Sequence, residues 1–323
     1  MRVISDLTVP MWPEERSVIT IGAYDGVHVG HQAVIAQVRR IADERGARSA
    51  VVTFDRHPAS IVRPESAPRL LTDHEQRLEL LAATGIDGTV VLPFDEVQSN
   101  EDPASFVERV LVRGLGVCSI VVGADFHFGR GREGNVSMLH RLGERFGFEV
   151  VPIELVERAD GVDEPVSSTA IRRALAGGNV TLATSLLGRP FQARGKVVMG
   201  DQRGRQLGFP TANVEVPNQI CVPADGVYAG RYERPDGTVH RCAINLGRRP
   251  TFYEHADHSL LEAHLLDFDG DLYGETARIG FEHFLRSERK FDGIDALVAQ
   301  LKQDVEHARD LLDADPSESS GAS

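Results

Sequence analysis

VITIGAYDGVHVGH, residues 18–31, is the stretch that decides the fold of the first half of the chain. An apolar, β-branched run empties into a turn with glycines at 22, 26 and 30 and then into His28-Val29-Gly30-His31. A strand that ends in such a turn and leads into a helix offers an anion closely approaching backbone, unpaired N–H groups and the positive end of the helix dipole. Gly22 and Gly30 are therefore expected at a nucleotide, and Asp25, in the same turn, is placed there too. His28 and His31, one turn apart near the start of a helix expected at about residue 31, are expected to donate to charge developing on an α-phosphoryl group.

Outward from this stretch, strand-like runs alternate with helical patterns as far as about residue 187. SVITIG is followed by a helix over 31–45, AVVTF by one over 73–83, and TVVLPF by one over 103–112; SIVVG and FEVVPIE complete the series. Such alternation predicts a doubly wound, mostly parallel sheet. In the first helix Val34, Ile35, Val38, Ile41 and Ala42 share one face, and Gly46 is a natural stop.

Ligands of such sheets bind beyond the carboxyl ends of the strands, which is where His28 and His31 fall. Phe54 and His57 follow one strand in FDRHP, and Asp125, Phe126 and Phe128 follow another in GADFHFGR, so these five residues are expected around a flavin or purine ring. Phe126 and Phe128 fit a core at period two equally well. Ser167, Ser168 and Thr169 precede Arg172 at a helix start; capping accounts for one hydroxyl, and the group reads as a cradle for the far phosphates.

The texture changes near Gly188, giving a boundary between 187 and 188. Strands are predicted over 193–198, 227–231, 239–246, 261–266 and 276–284, a small antiparallel barrel, closed by a helix over 292–312 with Asp292 as its cap. The polar tail 313–323 is expected to be disordered. GRQLGFPTAN, residues 204–213, reads as a ligand loop rather than a core strand, with Gly208 and Pro210 at a nucleotide and Thr211 and Asn213 offering oxygens to Mg²⁺; a plain turn is the alternative. In LEAHLLDF, Glu262 and His264 share a strand face, and a carboxylate there could take a hydroxyl proton during phosphoryl transfer, although a solvated strand face has the same pattern. His255, His258 and His264 lack the geometry of a metal site.

The length of 323 residues points to two domains. No apolar stretch approaches the roughly 20 residues of a membrane span, and the N-terminus lacks a signal-peptide apolar region, so the expected compartment is the cytoplasm. Three scattered cysteines argue against a disulfide framework or structural zinc and read as buried, inert thiols. The net charge of −13, with acid in excess in both halves, argues against a nucleic-acid surface. The first lysine is Lys196, so a P-loop lysine is impossible in the first half, and a class I aminoacyl-tRNA synthetase, which shares the H-x-G-H turn, is disfavoured.

The order of these motifs resembles the bifunctional prokaryotic riboflavin kinase/FAD synthetase family over about residues 17–312. The resemblance lies in G-x-x-D-G-V-H-x-G-H (Gly22 to His31), TF-x-x-HP (Thr53 to Pro58), VG-x-D-F-x-FG (Val122 to Gly129) and SST-x-IR (Ser167 to Arg172). It continues in G-R-x-L-G-F-P-T-A-N (Gly204 to Asn213), N-x-G-x-x-P-T-F (Asn245 to Phe252) and E-x-H-L-L-D-F-x-x-D-L-Y-G (Glu262 to Gly274). Ala23-Tyr24 stands where Asn-Phe is commoner, Ala170 where many members have arginine, and Asp125 where some have asparagine.

The resemblance implies a Rossmann-like nucleotidyltransferase domain over 1–187 and a riboflavin kinase barrel over 188–312. It further implies His28 and His31 on the ATP phosphates, Ser168, Thr169 and Arg172 at the far phosphates, Thr211 and Asn213 on Mg-nucleotide, and Glu262 as base for the ribityl 5′-hydroxyl. The expected substrates are ATP, riboflavin and FMN, with Mg²⁺ as cofactor and neither nucleic acid nor membrane as partner; a homo-oligomer is left open. The rival readings are a nucleotidyltransferase for another phosphate acceptor and a non-catalytic flavin-binding protein.

Overall fold

The computed structural model describes residues 1–154, 156–200, 202–248 and 259–314. By packing, the chain divides into one unit of Met1–Ser168 and a second from Thr169 onward.

The first unit contains, in order, β1 (Arg2–Ile4), β2 (Ser17–Ile21), α1 (Val29–Arg45), β3 (Arg48–Phe54), the single turn α2 (Ala59–Val62), α3 (His74–Ala83), β4 (Gly88–Leu92), the single turn α4 (Glu96–Ser99) and α5 (Pro103–Phe106). There follow a π-helical segment Val107–Gly114, β5 (Val117–Gly123), the short pair β6 (His127–Phe128) and β7 (Gly134–Asn135), α6 (Val136–Phe146) and β8 (Glu149–Ile153). The strands form one sheet in the order β1-β4-β3-β2-β5-β8, every neighbouring pair parallel. The chain moves from β2 to β3 and β4 on one side and resumes at β5 on the other, so the order reverses between β2 and β5. That crevice is where an open parallel sheet receives a ligand.

One sheet face buries Ile19, Val52, Val90, Ile120 and Leu111, and the opposite face carries Ile35, Val38 and Ile41 of α1. α1 ends as expected at Gly46, whose backbone takes the left-handed conformation and donates to Ala42. It begins at Val29 rather than His31, because the His28 ring itself caps the helix. Three features depart from the sequence reading. β1 adds an edge strand, its three residues being too few to display a period; α6 fills the interval before β8; and the helix expected over 103–112 is α-helical only to Phe106 before it widens into the π-helix.

The second unit opens with α7 (Ser168–Ala176) and α8 (Val180–Leu187), then β9 (Phe191–Val198), the turn α9 (Arg203–Gln206), β10 (Ala212–Glu215), β11 (Gly226–Glu233), β12 (Val239–Arg248), β13 (Ser259–Leu265), β14 (Thr276–Arg286) and α10 (Ile294–Asp313). The strands close into a barrel in the order β10-β13-β12-β11-β14-β9. Its interior is filled by Phe191, Tyr228, Tyr232, Ile244, Leu261 and Phe281, each fully buried. α10 packs Val305, Ala308 and Leu312 against Ala229 and Ala243 of the barrel. It starts at Ile294 after Gly293, so Asp292 is not its cap.

β10 is the main correction in this half. Ala212 and Asn213, read as the end of a loop, are paired on both sides, to β13 and to β9. α7 and α8 also pack with the second unit, α8 against β14 and β9 and Leu175 accepting from the Ala224 amide. The composition change at Gly188 marks where strands begin, not which core the preceding helices join. Cys221 and Cys242 are buried and Cys118 is half-buried. Residues 249–252 of the Asn245–Phe252 motif, His255, His258 and the tail beyond Ala314 lie outside the described residues.

Candidate functional sites

In the first unit the turn after β2 brings the two histidines into contact. His28 is buried, and its Nδ1 accepts from the His31 amide at 3.3 Å, so it caps α1. Because that nitrogen is an acceptor, the ring proton of neutral His28 sits on Nε2. The two imidazoles stack at 3.6 Å and 18°. Gly30 makes this possible, since a Cβ there would lie 3.2 Å from the His28 ring. Burial, and then the neighbouring His28, hold the His31 imidazole well below its ordinary pKa, and among the described residues its buried Nδ1 meets no partner. His31 is thus a neutral ring at physiological pH.

Asp25 is placed differently from its neighbours. Its buried carboxylate accepts from the Leu71 amide at 2.9 and 3.1 Å and from the Thr72 amide at 3.2 Å. These bonds anchor the 70–72 segment beneath the turn. Asp25→Asn would turn an NH₂ toward these amides; the expected loss is about 2–3 kcal/mol of stability in the first unit, measured by urea unfolding. Sequence reading also missed Arg77. This buried side chain of α3 donates to the carbonyls of Ala23 and Phe54, tying together the chain ends beyond β2 and β3. The only sign of it in the sequence is an arginine in an otherwise amphipathic helix.

Beside the turn lies a cavity of about 820 Å³. Gly22, Phe54, His57, Asp125, Phe126 and Phe128 all line it, so the residues expected around a ring converge on one space. Phe126 and Phe128 stack at 5.6 Å and 17°. Phe128 is buried against Phe106, so it is both a core residue and part of the wall. His57 uses Nδ1 to accept from the Ala59 amide, and Asp125 is exposed at the rim. Arg109, carried by the π-helix, pairs bidentately with Glu101 at the same wall. The Ser168 hydroxyl donates to the Asp25 carbonyl at 2.9 Å, while Thr169 and Arg172 lie in the first turns of α7 in the second unit.

In the barrel, pairing register builds the second site. Asn213 of β10 lies opposite Glu262 of β13, and Glu262 lies opposite Asn245 of β12, so three polar side chains stand abreast. Leu261, Ile244 and Leu246 are buried in the barrel interior, so by strand alternation the polar three stand on its outer face, where Asn213 is itself buried and Asn245 and Glu262 are half-buried. Asn245 Nδ2 reaches Glu262 Oε2 at 3.5 Å. The chain at Gly200 runs over Asn213: a Cβ at Gly200 would come 2.5 Å from Asn213 Nδ2. Thr211, two residues before Asn213, shares its face.

Pro210 accepts from His264 Nδ1 at 2.7 Å, and the His264 ring meets Phe209 edge-on, so His264 buttresses the join between loop and strand. Gly208 takes the left-handed conformation at the loop's exposed corner. Burial, then the charges of Asp225 and Glu262, raise the Glu288 carboxyl above its ordinary range, against the opposing effect of Arg286. Asn245 is a further residue that sequence reading did not single out for a role. Its position opposite Glu262 follows from register, which the motif spacing does not reveal.

The chain matches two family models, one described as FAD synthetase over residues 11–170 and one described as riboflavin kinase over residues 187–312. Proteins named bifunctional riboflavin kinase/FMN adenylyltransferase are similar over nearly the whole length. That of Pseudomonas fluorescens is 42% identical over 300 residues, covering 93% of this chain and 94% of the relative. That of Listeria monocytogenes is 37% identical over 305 residues, covering 94% and 95%, and that of Bacillus subtilis 38% over 298 residues, covering 91% and 92%. A crystal structure from Streptococcus pneumoniae, described as a macrolide-efflux protein, aligns with a TM-score of 0.83 at 31% identity over 95% of this chain and 98% of that one. Among the described residues, no helix is long and apolar enough to cross a membrane.

Proposed function

Because the chain belongs to the bifunctional riboflavin kinase/FMN adenylyltransferase family, we propose that residues 188–312 carry the phosphorylation and residues 1–187 the adenylyl transfer. The enzyme phosphorylates riboflavin with ATP to FMN, then adenylylates FMN with a second ATP to FAD and releases pyrophosphate. The observation that carries our assignment of residues is the side-by-side register of Asn213, Glu262 and Asn245 on one barrel face.

In the kinase, Glu262 takes the proton of the ribityl 5′-hydroxyl as that oxygen attacks the γ-phosphorus, and Asn245 orients the carboxylate. Gly208 and Pro210 shape the loop that meets the nucleotide. Thr211 and Asn213 present a hydroxyl and a carboxamide, hard neutral oxygen donors of the kind Mg²⁺ accepts when phosphates supply the negative charge. A Mg²⁺ ion held by these two residues would supply positive charge against the phosphate oxygens.

In the transferase, the FMN phosphate is already an anion and needs no strong base. His28 and His31 stabilise charge at the α-phosphorus, Gly22 and Gly30 let the nucleotide approach the turn, and Ser168, Thr169 and Arg172 hold the leaving pyrophosphate. Phe54, His57, Asp125, Phe126 and Phe128 enclose the flavin. The partners are these small molecules, and the setting is the cytoplasm.

The test is a time course with riboflavin, ATP and Mg²⁺, the flavins separated by chromatography. FMN is expected before FAD, and chelation by EDTA is expected to stop both steps. Asn213→Ala should raise the Mg²⁺ requirement of the first step about tenfold or more and leave that of the second unchanged. An unchanged requirement in the first step would remove Asn213 from the cation site.

A further inference from the structure

Tyr24 is buried with only 3% of its surface exposed, yet its backbone sits in the left-handed region at φ 51°, a conformation that disfavours bulky side chains. Its hydroxyl donates to the Oγ1 of Thr20, itself buried in β2, at 2.8 Å. The ring rests on the bare backbone of Gly22, where a Cβ would approach to 3.1 Å. It also meets the His31 imidazole at 4.7 Å and 45°. His31 thus contacts both the Tyr24 ring and the stacked ring of His28.

A phenylalanine would fill this space as well, and would avoid burying a hydroxyl that must then find a partner. What the hydroxyl adds is a fixed tether from the ring to the strand that precedes the turn. Sparsely populated backbone persists only where its surroundings over-determine it, and such strain gathers at functional sites. Here the turn is pinned by the Tyr24 tether and by the Asp25 carboxylate on Leu71 and Thr72.

We propose that Tyr24 is a positioning residue for adenylyl transfer: its ring, tethered through the hydroxyl to Thr20, fixes the orientation in which His31 meets the α-phosphoryl group. This rests on the reading of His31 given above. The tether acts on the alignment of one donor in the transition state, so its loss lowers kcat and spares KM.

The experiment measures FAD formation from FMN and ATP by the full chain carrying Y24F, T20V, T20S or Y24F with T20V. Y24F and T20V are each expected to lower kcat about three- to tenfold, with KM for ATP and FMN within about twofold. T20S keeps the acceptor oxygen and should retain the wild-type kcat, and the double variant should be no slower than the slower single, because both changes remove one contact. An unchanged kcat in Y24F and T20V, an equal loss in T20S, or a loss confined to KM would overturn the proposal. If T20V unfolds the first unit, the comparison of Y24F with T20S still decides. His31→Ala is measured in parallel: full activity there defeats the reading of His31, whereas its inactivity beside a fully active Y24F defeats the role of Tyr24 alone.

Discussion

Glu262→Gln is expected to slow riboflavin phosphorylation by about 10²- to 10⁴-fold, the range of a lost general base, while FAD formation from supplied FMN continues at the wild-type rate. Glutamine preserves the shape of the side chain and its place opposite Asn213 and Asn245. What it removes is the charge that, in the proposed mechanism, accepts the ribityl proton. The measurement is initial FMN formation at saturating ATP and riboflavin, with FAD synthesis from FMN assayed on the same preparation. A kinase that keeps more than a tenth of its rate would shift the proton transfer to another group. A parallel loss of FAD synthesis would mean that the two reactions share machinery.

His31→Ala is expected to do the opposite, lowering FAD formation by about 10²- to 10³-fold, as when one preorganised donor to a developing oxyanion is removed, with FMN formation unchanged. The substitution also takes away the partner of the stacked His28 ring. His28→Ala should therefore be the more damaging to stability, since it deletes the cap of α1 as well as a donor. The His31 imidazole is neutral at physiological pH, because burial and His28 depress its proton affinity. A histidine with a lowered folded-state value adds nothing to the pH dependence of stability above its unfolded value of about 6.5. As pH falls below that, the unfolded chain binds a proton that the folded chain refuses, and stability is lost. Undiminished FAD synthesis by His31→Ala would take this histidine out of the mechanism.

The parts of this chain legible in its sequence are those whose cause is local. α1 could be read from its apolar face and Gly46, and the cavity residues from their places just beyond strand ends, because periodicity and strand polarity act over a few residues. Asp25 shows the opposite case. Its partners Leu71 and Thr72 lie 46 and 47 residues away, so the hold of this carboxylate on their amides cannot be read from the turn that carries it. β10 is hidden for a related reason. Four residues with an asparagine among them make no strand signal alone, and it is the pairing with β9 and β13 that makes them one. The same pairing sets Asn213 beside Glu262, a juxtaposition that the spacing of their two motifs does not reveal.

The two sheets differ in what they leave unsatisfied at their borders. Among the described residues each barrel strand has two neighbours, the ring being closed through β9 and β10, so the barrel has no free edge strand for a foreign strand to extend. The open sheet of the first unit has two borders. One is β1, only three residues long, and the other is β8, where Pro152 withholds an amide from any incoming chain. Self-association by strand addition is therefore confined to the first unit and blunted there at both edges, so a Pro152→Val chain held near its unfolding temperature is where growth of β-aggregates would begin.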